Sequence, residues 1–368
     1  MKIMVVSPKN KTVFNFRGDL IKDMIAHGNE VVVTGPNKDF IDDIMNLGVS
    51  KFIEVPLVKD NTSIGGDLAY CRNLYTVMKE EKPDIIFSYT IKPVIYSSIA
   101  AKFAGIKRVC AMVTGLGRVY ASNGLKTKIL RTIIKFLYTF AFTKCDKVIF
   151  QNSDDLHKFI QEGYLSSEKA VQVNGSGVNM KRFTLAPLPK TPVFLMVGRI
   201  IREKGVMEYC EAARAVRKKY PQARFILLGG FDVSIGALKK EDIQPYIDDG
   251  SIEFPGEVKD PVSFYHKCSV FVLPSYYREG LPRTILEAMS CGRPVITTDW
   301  PGCREPIVDG ENGWMVPVKD SLKLIEVICK FIENPLLLTN MSKDAYKHCK
   351  NNYEVSVVNQ QMRNYIQY

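Results

Sequence analysis

Two glutamates eight residues apart, Glu279 and Glu287, frame the stretch of the chain whose residue types best suit chemistry. Between them, Gly280, Leu281 and Pro282 precede an apolar run, which predicts a helix that begins at Pro282. The free N–H groups and positive dipole end of a helix N-terminus bind anions, so this turn suits a diphosphate. Glu287 lies among apolar residues and needs a hydrogen-bonding partner, which the hydroxyls of a ribose would provide. Spacing alone also allows a surface helix with two solvated acids.

Two cations, Arg199 and Lys204, follow a predicted strand at residues 193–197. Positive side chains at the carboxyl end of a parallel strand can clamp a diphosphate through charge-assisted hydrogen bonds. The alternative is a pair of surface charges without a ligand.

The elements that must position these residues alternate between strand and helix. Apolar, β-branched runs predict strands at 2–6, 30–34, 83–90, 109–113 and 146–151, and again at 193–197, 225–228, 252–254, 270–273 and 294–298. Such alternation builds parallel sheets with both faces covered, so the fold class is α/β with doubly wound, Rossmann-like sheets.

A length of 368 residues, 46% of them hydrophobic, predicts two domains with separate cores. Three prolines within residues 185–192 indicate a hinge, which gives an N-terminal domain at 1–186 and a C-terminal domain at 187–352. A final helix is predicted at 353–368.

The net charge of +11 is concentrated in the first half, where residues 1–185 carry 26 Lys and Arg against 17 Asp and Glu. A basic half suits nucleic acid or an anionic membrane surface. Without a nucleic-acid motif, or an apolar run of the ~20 residues that a membrane span needs, the sequence favours a peripheral membrane protein. Residues 126–142 predict a helix with Lys128, Arg131 and Lys135 on one face. Such a helix can lie in a bilayer interface or pack on the sheet with its charges in water.

The nine cysteines are scattered without a C-x-x-C pair, which predicts a reducing, cytoplasmic location rather than a disulfide framework. The four histidines stand far apart and show no metal-ligand spacing, so no metal is expected.

Five blocks of the second half resemble, in order, those of one enzyme family: GSGVNMKRF (175–183), GRIIREKG (198–205), LLGG (227–230), EGLPRTILEAMSCGRPVI (279–296) and NGWMVP (312–317). The chain resembles the retaining, nucleotide-sugar-dependent glycosyltransferases of family 4, which have the GT-B fold. That resemblance implies two Rossmann-like domains facing a central cleft, a UDP-sugar donor, no cofactor or metal, and a C-terminal helix that crosses back to the first domain.

The resemblance also implies roles for the second-half candidates. Arg199, Lys204 and the turn at Gly280, Leu281 and Pro282 would stabilise the leaving diphosphate, as Mg²⁺ does in other enzymes. Glu279 would bind the donor sugar's hydroxyls and orient its anomeric carbon, while Glu287 would bind the nucleoside. Glu257 and Val258 fall where relatives hold the uracil ring. The leaving phosphate itself would serve as the base.

The acceptor-side candidates lie in the first half. The loop after the first strand ends in Asn-Phe-Arg where the family usually has a Gly-Gly pair, so Arg17 is predicted either to contact the acceptor or to be solvated. Lys92, at a strand's carboxyl end, is a candidate for an acceptor phosphate. The turn that opens with Thr114 and Gly115 and continues to Gly117 resembles the bacterial N-acetylgalactosaminyl- and galactosyltransferases that act on undecaprenyl-diphosphate-linked acceptors. Like them, the chain has no histidine at this strand end.

The sequence therefore predicts transfer of a sugar from a UDP-sugar to a polyprenyl-diphosphate-linked acceptor on the inner face of the cell membrane. N-acetylgalactosamine is the first choice of sugar, with galactose, N-acetylglucosamine and an N-acetylated deoxysugar as alternatives. A UDP-sugar 2-epimerase of the same fold would need carboxylate and histidine acid–base groups in the first domain. A basic nucleic-acid-binding protein would explain the charge but not the five ordered blocks.

Overall fold

A computed structural model describes residues 1–57, 64–116, 125–232 and 237–367, without the side chains of residues 125–127. The chain divides into two compact units. The first comprises Met1–Ser176 and Ser356–Tyr368, and the second comprises Gly177–Val355.

The first unit contains a seven-stranded parallel sheet in its described residues, in the order β3-β2-β1-β4-β5-β6-β7. Its strands are β1 Lys2–Val6, β2 Glu30–Gly35, β3 Lys51–Glu54, β4 Ile85–Tyr89, β5 Arg108–Val113, β6 Lys147–Phe150 and β7 Ala170–Gln172. Its helices include α1 Asn10–Thr12, which runs through a π-helical turn Val13–Arg17 into α2 Gly18–Ala26, then α3 Ile41–Met45, α4 Ile64–Glu81, α5 Ile91–Ala104, α6 Leu125–Phe142 and α7 Ser153–Gln161. The central strands are largely apolar because helices cover both faces of the sheet, and a separate core cluster lies on each face.

The second unit contains a six-stranded parallel sheet in the order β10-β9-β8-β11-β12-β13, again within the described residues. Its strands are β8 Val193–Val197, β9 Arg224–Leu228, β10 Glu253–Gly256, β11 Val270–Leu273, β12 Val295–Thr298 and β13 Gly313–Val316. Around it lie a 3₁₀ turn Arg202–Lys204 and the helices α8 Val206–Lys219, α9 Lys240–Asp248, α10 Val262–Lys267, α11 Arg283–Ser290, α12 Ser321–Glu333 and α13 Pro335–Asn352. The predicted fold class, two doubly wound parallel-sheet domains, is confirmed.

The proline-rich segment 185–192 lies inside the second unit, although the sequence predicted a hinge there. The fully buried Arg293 donates hydrogen bonds from Nη2 to the carbonyls of Ala186 (3.0 Å) and Pro187 (3.1 Å). These bonds hold the segment, and the units divide after Ser176, ten residues before the predicted boundary.

The last helix, α14 Val355–Gln367, belongs to the first unit. Met362 and Ile366 are buried in the core cluster that contains Ile3 and Val5 of β1. Asn359 donates a hydrogen bond to the carbonyl of Asp19 at the start of α2 (3.1 Å). The helix therefore completes one face of the first sheet.

Candidate functional site

The loops that follow β8 and β11 meet at the carboxyl edge of the second sheet. Gly205, with φ +77°, closes the turn before α8, and a Cβ there would lie 2.1 Å from the carbonyl oxygen of Pro274. Only glycine permits this approach. The amide of Tyr276 donates to the carbonyl of Glu203 (2.8 Å), which joins the two loops.

Arg199, Lys204 and Glu279, which the sequence predicted to act together, are brought into one cluster by these loops. Nζ of Lys204 forms an ion pair and hydrogen bond with Glu279 Oε1, and Nη1 of Arg199 lies 2.6 Å from Asp232 Oδ2. The Arg199 guanidinium and the Lys204 ammonium stand 5.3 and 6.0 Å from the centre of the Tyr277 ring. Asp232 and Tyr277 were missed by the sequence analysis, because an aspartate in a loop and a tyrosine before a glutamate carry no pattern of their own.

This cluster can exchange its internal ion pairs for contacts to an anion. The Lys204 and Glu279 side chains are 11% and 17% exposed, so their charges are shielded, whereas Arg199 is 49% exposed. Charge-assisted contacts are strong in such partly buried positions and weaker where water screens them. Within the described residues, no three His, Cys, Asp or Glu side chains come together as metal ligands would.

The helix N-terminus beside the cluster differs slightly from the prediction. Pro282 is the N-cap residue, with φ −65° and ψ 111°, and α11 begins at Arg283. Gly280 and Leu281 are buried. Gly302, with φ +81°, packs so closely on this segment that a Cβ would lie 2.7 Å from the carbonyl oxygen of Gly280. The turn is therefore held between the cation-bearing loop on one side and Gly302 on the other.

Glu287 is not a solvated acid. Its side chain is 12% exposed; Tyr265 donates its hydroxyl to Oε2 (2.9 Å), and Nε of Arg283 lies 3.2 Å from Oε1. Burial raises the pKa of the Glu287 carboxyl, while Arg283 and the Tyr265 hydrogen bond oppose that rise. The partner that the sequence expected in a ligand is thus supplied in part by the protein.

Glu257 and Val258 follow β10, beside the end of β9. Glu257 is exposed, and a Cβ on Gly230 would lie 2.7 Å from its Oε2, so its carboxylate rests against the glycine pair that ends the LLGG block. Val258 is half-buried against the core of the second unit. The two residues thus stand at the carboxyl edge of the sheet, the edge where ligands bind in this architecture.

Arg17 is 4% exposed and is therefore not the solvated arginine that the sequence left open. Its Nη1 donates to Ser176 Oγ (2.8 Å), and its guanidinium lies 5.1 Å from the centre of the Tyr89 ring. The Tyr89 hydroxyl donates in turn to Ser7 Oγ (2.8 Å). These contacts gather polar groups at the carboxyl ends of β1 and β4.

Lys92 is the second residue of α5, just beyond β4, and its Nζ lies 2.8 Å from Asp67 Oδ1. Thr90, which precedes the helix, has φ +70°, an unusual value for a β-branched residue. Thr114 and Gly115 follow the neighbouring strand β5 and are half-buried, and Gly115 has φ +101°. Gly117 lies outside the described residues.

Both units match families of glycosyltransferases. Residues 2–152 match the family described as glycosyl transferase 4-like, and residues 179–348 match the glycosyl transferases group 1. The sheets, the acid–cation cluster and these matches define the class, and the chain belongs to the glycosyltransferases of the GT-B fold.

The chain is similar to two bacterial glycosyltransferases over most of its length. It is 28% identical to the N,N'-diacetylbacillosaminyl-diphospho-undecaprenol alpha-1,3-N-acetylgalactosaminyltransferase of Campylobacter jejuni, over 94% of this chain and 93% of that enzyme. It is 27% identical to the UDP-Gal:alpha-D-GlcNAc-diphosphoundecaprenol alpha-1,3-galactosyltransferase of Escherichia coli, over 88% of this chain and 84% of that enzyme.

Solved structures share the fold at lower identity. Anabaena HepE in complex with UDP is 20% identical, covers 99% of both chains and has a TM-score of 0.80. Sucrose-phosphate synthase of Thermosynechococcus elongatus is 18% identical, covers 99% of this chain and 98% of that one, and has a TM-score of 0.78.

Proposed function

We propose that this glycosyltransferase moves a sugar, N-acetylgalactosamine as first choice, from a UDP-sugar to a polyprenyl-diphosphate-linked acceptor, with retention of the anomeric configuration and without a metal. The observation that carries the proposal is the cluster of Arg199 and Lys204 around Tyr277, next to Glu279 and the start of α11. Two cations and a helix N-terminus are the groups that a metal-independent enzyme needs at a leaving diphosphate.

The choice of substrates rests on the two bacterial relatives. The names of both enzymes specify a sugar linked through a diphosphate to undecaprenol as acceptor, and one specifies N-acetylgalactosamine as the sugar transferred. The Anabaena structure of the same fold holds UDP. These three features support a UDP-sugar donor and a lipid-linked acceptor for this chain.

The transfer itself exchanges one bond at the anomeric carbon. The bond from that carbon to the β-phosphate oxygen breaks, and the acceptor hydroxyl oxygen bonds to the carbon from the same face. The hydroxyl proton passes to the leaving β-phosphate. Arg199 and Lys204 stabilise the charge that develops on the diphosphate, while Glu279 orients the sugar and stabilises the positive charge on its anomeric carbon.

A lipid-linked acceptor brings the enzyme to a membrane, and α6 supports a peripheral contact there. Ile129, Ile133, Phe136 and Phe140 are 43–73% exposed and recur at intervals of four, three and four residues, so they form one outward apolar stripe. Among the described residues, no helix has the length and apolar character needed to cross a membrane.

Cations lie at the end of this stripe. Lys144 Nζ lies 5.6 Å from the centre of the Phe140 ring, and the neighbouring Lys102 lowers the pKa of Lys144 through a side-chain hydrogen bond and through its like charge. An apolar stripe next to crowded lysines suits the interface of an anionic bilayer. The sequence predicted a basic face on this helix and apolar residues over much of the rest, and the exposed part of that apolar surface forms the stripe.

The test is a screen of radiolabelled UDP-sugars with vesicles that contain a polyprenyl-diphosphate-linked sugar. We expect label from UDP-N-acetylgalactosamine to enter the lipid fraction without added metal and in the presence of a chelator. Nuclear magnetic resonance of the product should show an α-linkage, the configuration of the donor. Conversion of the UDP-sugar without any acceptor would instead favour the 2-epimerase, and failure to bind UDP would contradict the proposal as a whole.

A further inference from the structure

Two side chains fix the Glu287 carboxylate, one at each of its oxygens. Tyr265, on α10, donates its hydroxyl to Oε2 at 2.9 Å. Arg283, one turn earlier on α11, approaches Oε1 with Nε at 3.2 Å. The carboxylate is therefore oriented by groups from two different helices before any ligand arrives.

We propose that Tyr265 is a positioning residue for the nucleotide donor, whose hydroxyl orients the Glu287 carboxylate so that its free lone pairs accept the two ribose hydroxyls. The proposal rests on the donor-binding role of Glu287 in the proposed function. It assigns a role to a residue outside the blocks that carried the family resemblance.

Tyr265 is suited to this role because it is itself immobile. Its side chain is fully buried, and its ring lies against Phe183 and Phe271 with ring centres 5.8 Å away in each case. Its carbonyl accepts a hydrogen bond from Nε of the buried Arg293 (2.9 Å). A hydroxyl on so fixed a ring gives the carboxylate one orientation, which lowers the entropy lost when the nucleoside binds.

The geometry leaves capacity for a ligand. A carboxylate has about four lone-pair positions, and the Tyr265 hydrogen bond occupies one of them, while Arg283 adds an ion pair at Oε1. The side chain of Glu287 retains 12% exposure, so it is not completely enclosed by the protein. A pair of adjacent hydroxyls, as on a ribose, matches two acceptor oxygens held in one plane.

Several charged and titratable groups surround Glu287. Burial raises the pKa of its carboxyl; Arg283, the Tyr265 hydrogen bond and Arg182 lower it, and Asp260 raises it. Cys291 lies on the next turn of the chain, and burial keeps its thiol protonated by raising its pKa to about 12. Burial also raises the pKa of Tyr265 well above its usual value, so its hydroxyl remains a donor.

The affinity for UDP should depend on the protonation state of Glu287. Ribose hydroxyls donate to the ionised carboxylate, so UDP affinity falls as the pH drops through the pKa of Glu287. Loss of the Tyr265 hydroxyl removes a group that lowers this pKa, so the fall in affinity moves to a higher pH. A residue with a purely structural role would not move it.

The experiment is calorimetric titration of the full chain with UDP from neutral to mildly acidic pH. It compares the wild type with Tyr265→Phe, Glu287→Gln and the control Tyr209→Phe. Tyr209 is another fully buried tyrosine of the same unit, and its hydroxyl donates to the carbonyls of Phe194 (2.9 Å) and Ile226 (3.0 Å). Protonation of the UDP phosphates changes the affinity in the same way for every variant, so only differences in affinity between variants are compared.

We expect Tyr265→Phe to weaken UDP binding about tenfold at neutral pH, equivalent to about 1.4 kcal/mol, and to shift the acid-side loss of affinity upward by about one pH unit. Tyr209→Phe should leave both unchanged. Glu287→Gln should weaken UDP binding and should lose the acid-side fall in affinity that depends on the Glu287 carboxyl.

Wild-type affinity and pH dependence in Tyr265→Phe, with weakened binding in Glu287→Gln, would overturn this inference alone. Wild-type affinity in Glu287→Gln would overturn the donor-binding role of Glu287 and the inference with it. If Tyr265→Phe does not fold, Arg283→Gln replaces it, because loss of the Arg283 charge should move the acid-side loss of affinity in the same direction.

Discussion

At the scale of single residues, the two predicted phosphate-binding cations have different surroundings. Arg199→Ala should weaken UDP binding tenfold or more, since a charge-assisted contact contributes about 1.5–3 kcal/mol. The variant should keep its melting temperature, because the Arg199 side chain is 49% exposed and ion pairs of such exposed cations add little stability. Lys204→Ala should weaken UDP binding similarly but also lower the melting temperature, because Glu279 loses its shielded partner. Calorimetry and thermal unfolding measure both effects.

The matched control for these variants is Arg202→Ala. Arg202 is an exposed cation of the same loop, between Arg199 and Lys204 in sequence. The variant should retain wild-type UDP affinity, because the contacts described above for Tyr277 and Glu279 do not include Arg202. An equal loss of affinity in all three variants would mean that the loop contributes only general positive charge.

Substitution of the two glutamates should affect different kinetic parameters. Glu279 lies before α11, beside the cations, so its contacts should strengthen as the anomeric carbon becomes positive; Glu279→Gln should then lower kcat by about two orders of magnitude, or ~3 kcal/mol. In the proposed function Glu287 binds the nucleoside equally in the ground state and the transition state, so Glu287→Gln should mainly raise the donor KM. Steady-state kinetics on both variants would separate the two roles. The control is Glu241→Gln, because Glu241 is an exposed acid of α9. The reverse pattern would mean that the two roles are exchanged.

The candidate site was predictable from sequence only where residue type and spacing carried the information. Arg199, Lys204 and Glu279 were identified because cations and an acid near a helix start suit a diphosphate and because they lie in the blocks that resemble the glycosyltransferase family. Tyr277 and Asp232 were not, because their contacts depend on how two loops meet, and that meeting depends on the close approach of Gly205 to Pro274. The expectation that Glu287 needs a partner was sound, but sequence could not reveal that Tyr265 and Arg283 contribute to it.

At the scale of elements, α6 offers a test of membrane attachment. Changing Ile133 and Phe136 to serine should reduce co-sedimentation with anionic liposomes at both low and high salt, because each buried apolar side chain contributes about 1.5–3 kcal/mol. Changing Lys128, Arg131 and Lys135 to glutamate should reduce it mainly at low salt, where charges are less screened. These side chains are wholly or partly exposed, so the fold should tolerate both sets of changes.

The control for the apolar variant is Leu322→Ser. Leu322 is 80% exposed on α12 of the second unit, so its loss removes a similar exposed apolar surface elsewhere. It should leave liposome binding unchanged. If the wild type does not bind such liposomes even at low salt, the stripe on α6 has no role in membrane attachment.

At the scale of the whole molecule, the sequence predicted the central strands because each is a short, nearly continuous apolar run that is buried. It did not predict β3, β7 and β13, which are edge strands and only partly buried. The predicted strands at 2–6, 193–197 and 270–273 coincide with β1, β8 and β11. Pairing of distant segments was harder to predict. The prolines of 185–192 carry the composition of a hinge, yet a fully buried arginine more than a hundred residues later holds their backbone in the second unit.

The last helix provides the final prediction. Ile366 of α14 is fully buried in the core beneath β1, so Ile366→Ala should destabilise the first unit by about 2–5 kcal/mol through lost burial and the cavity that remains. Hydrogen exchange should accelerate in peptides that cover β1 and β2 and change least in those that cover β8 and β11. Met341→Ala, at a buried position of α13 in the second unit, should give the opposite pattern. Equal acceleration in both sheets with either variant would mean that the two units unfold as one, because a single cooperative transition would spread either loss over the whole chain.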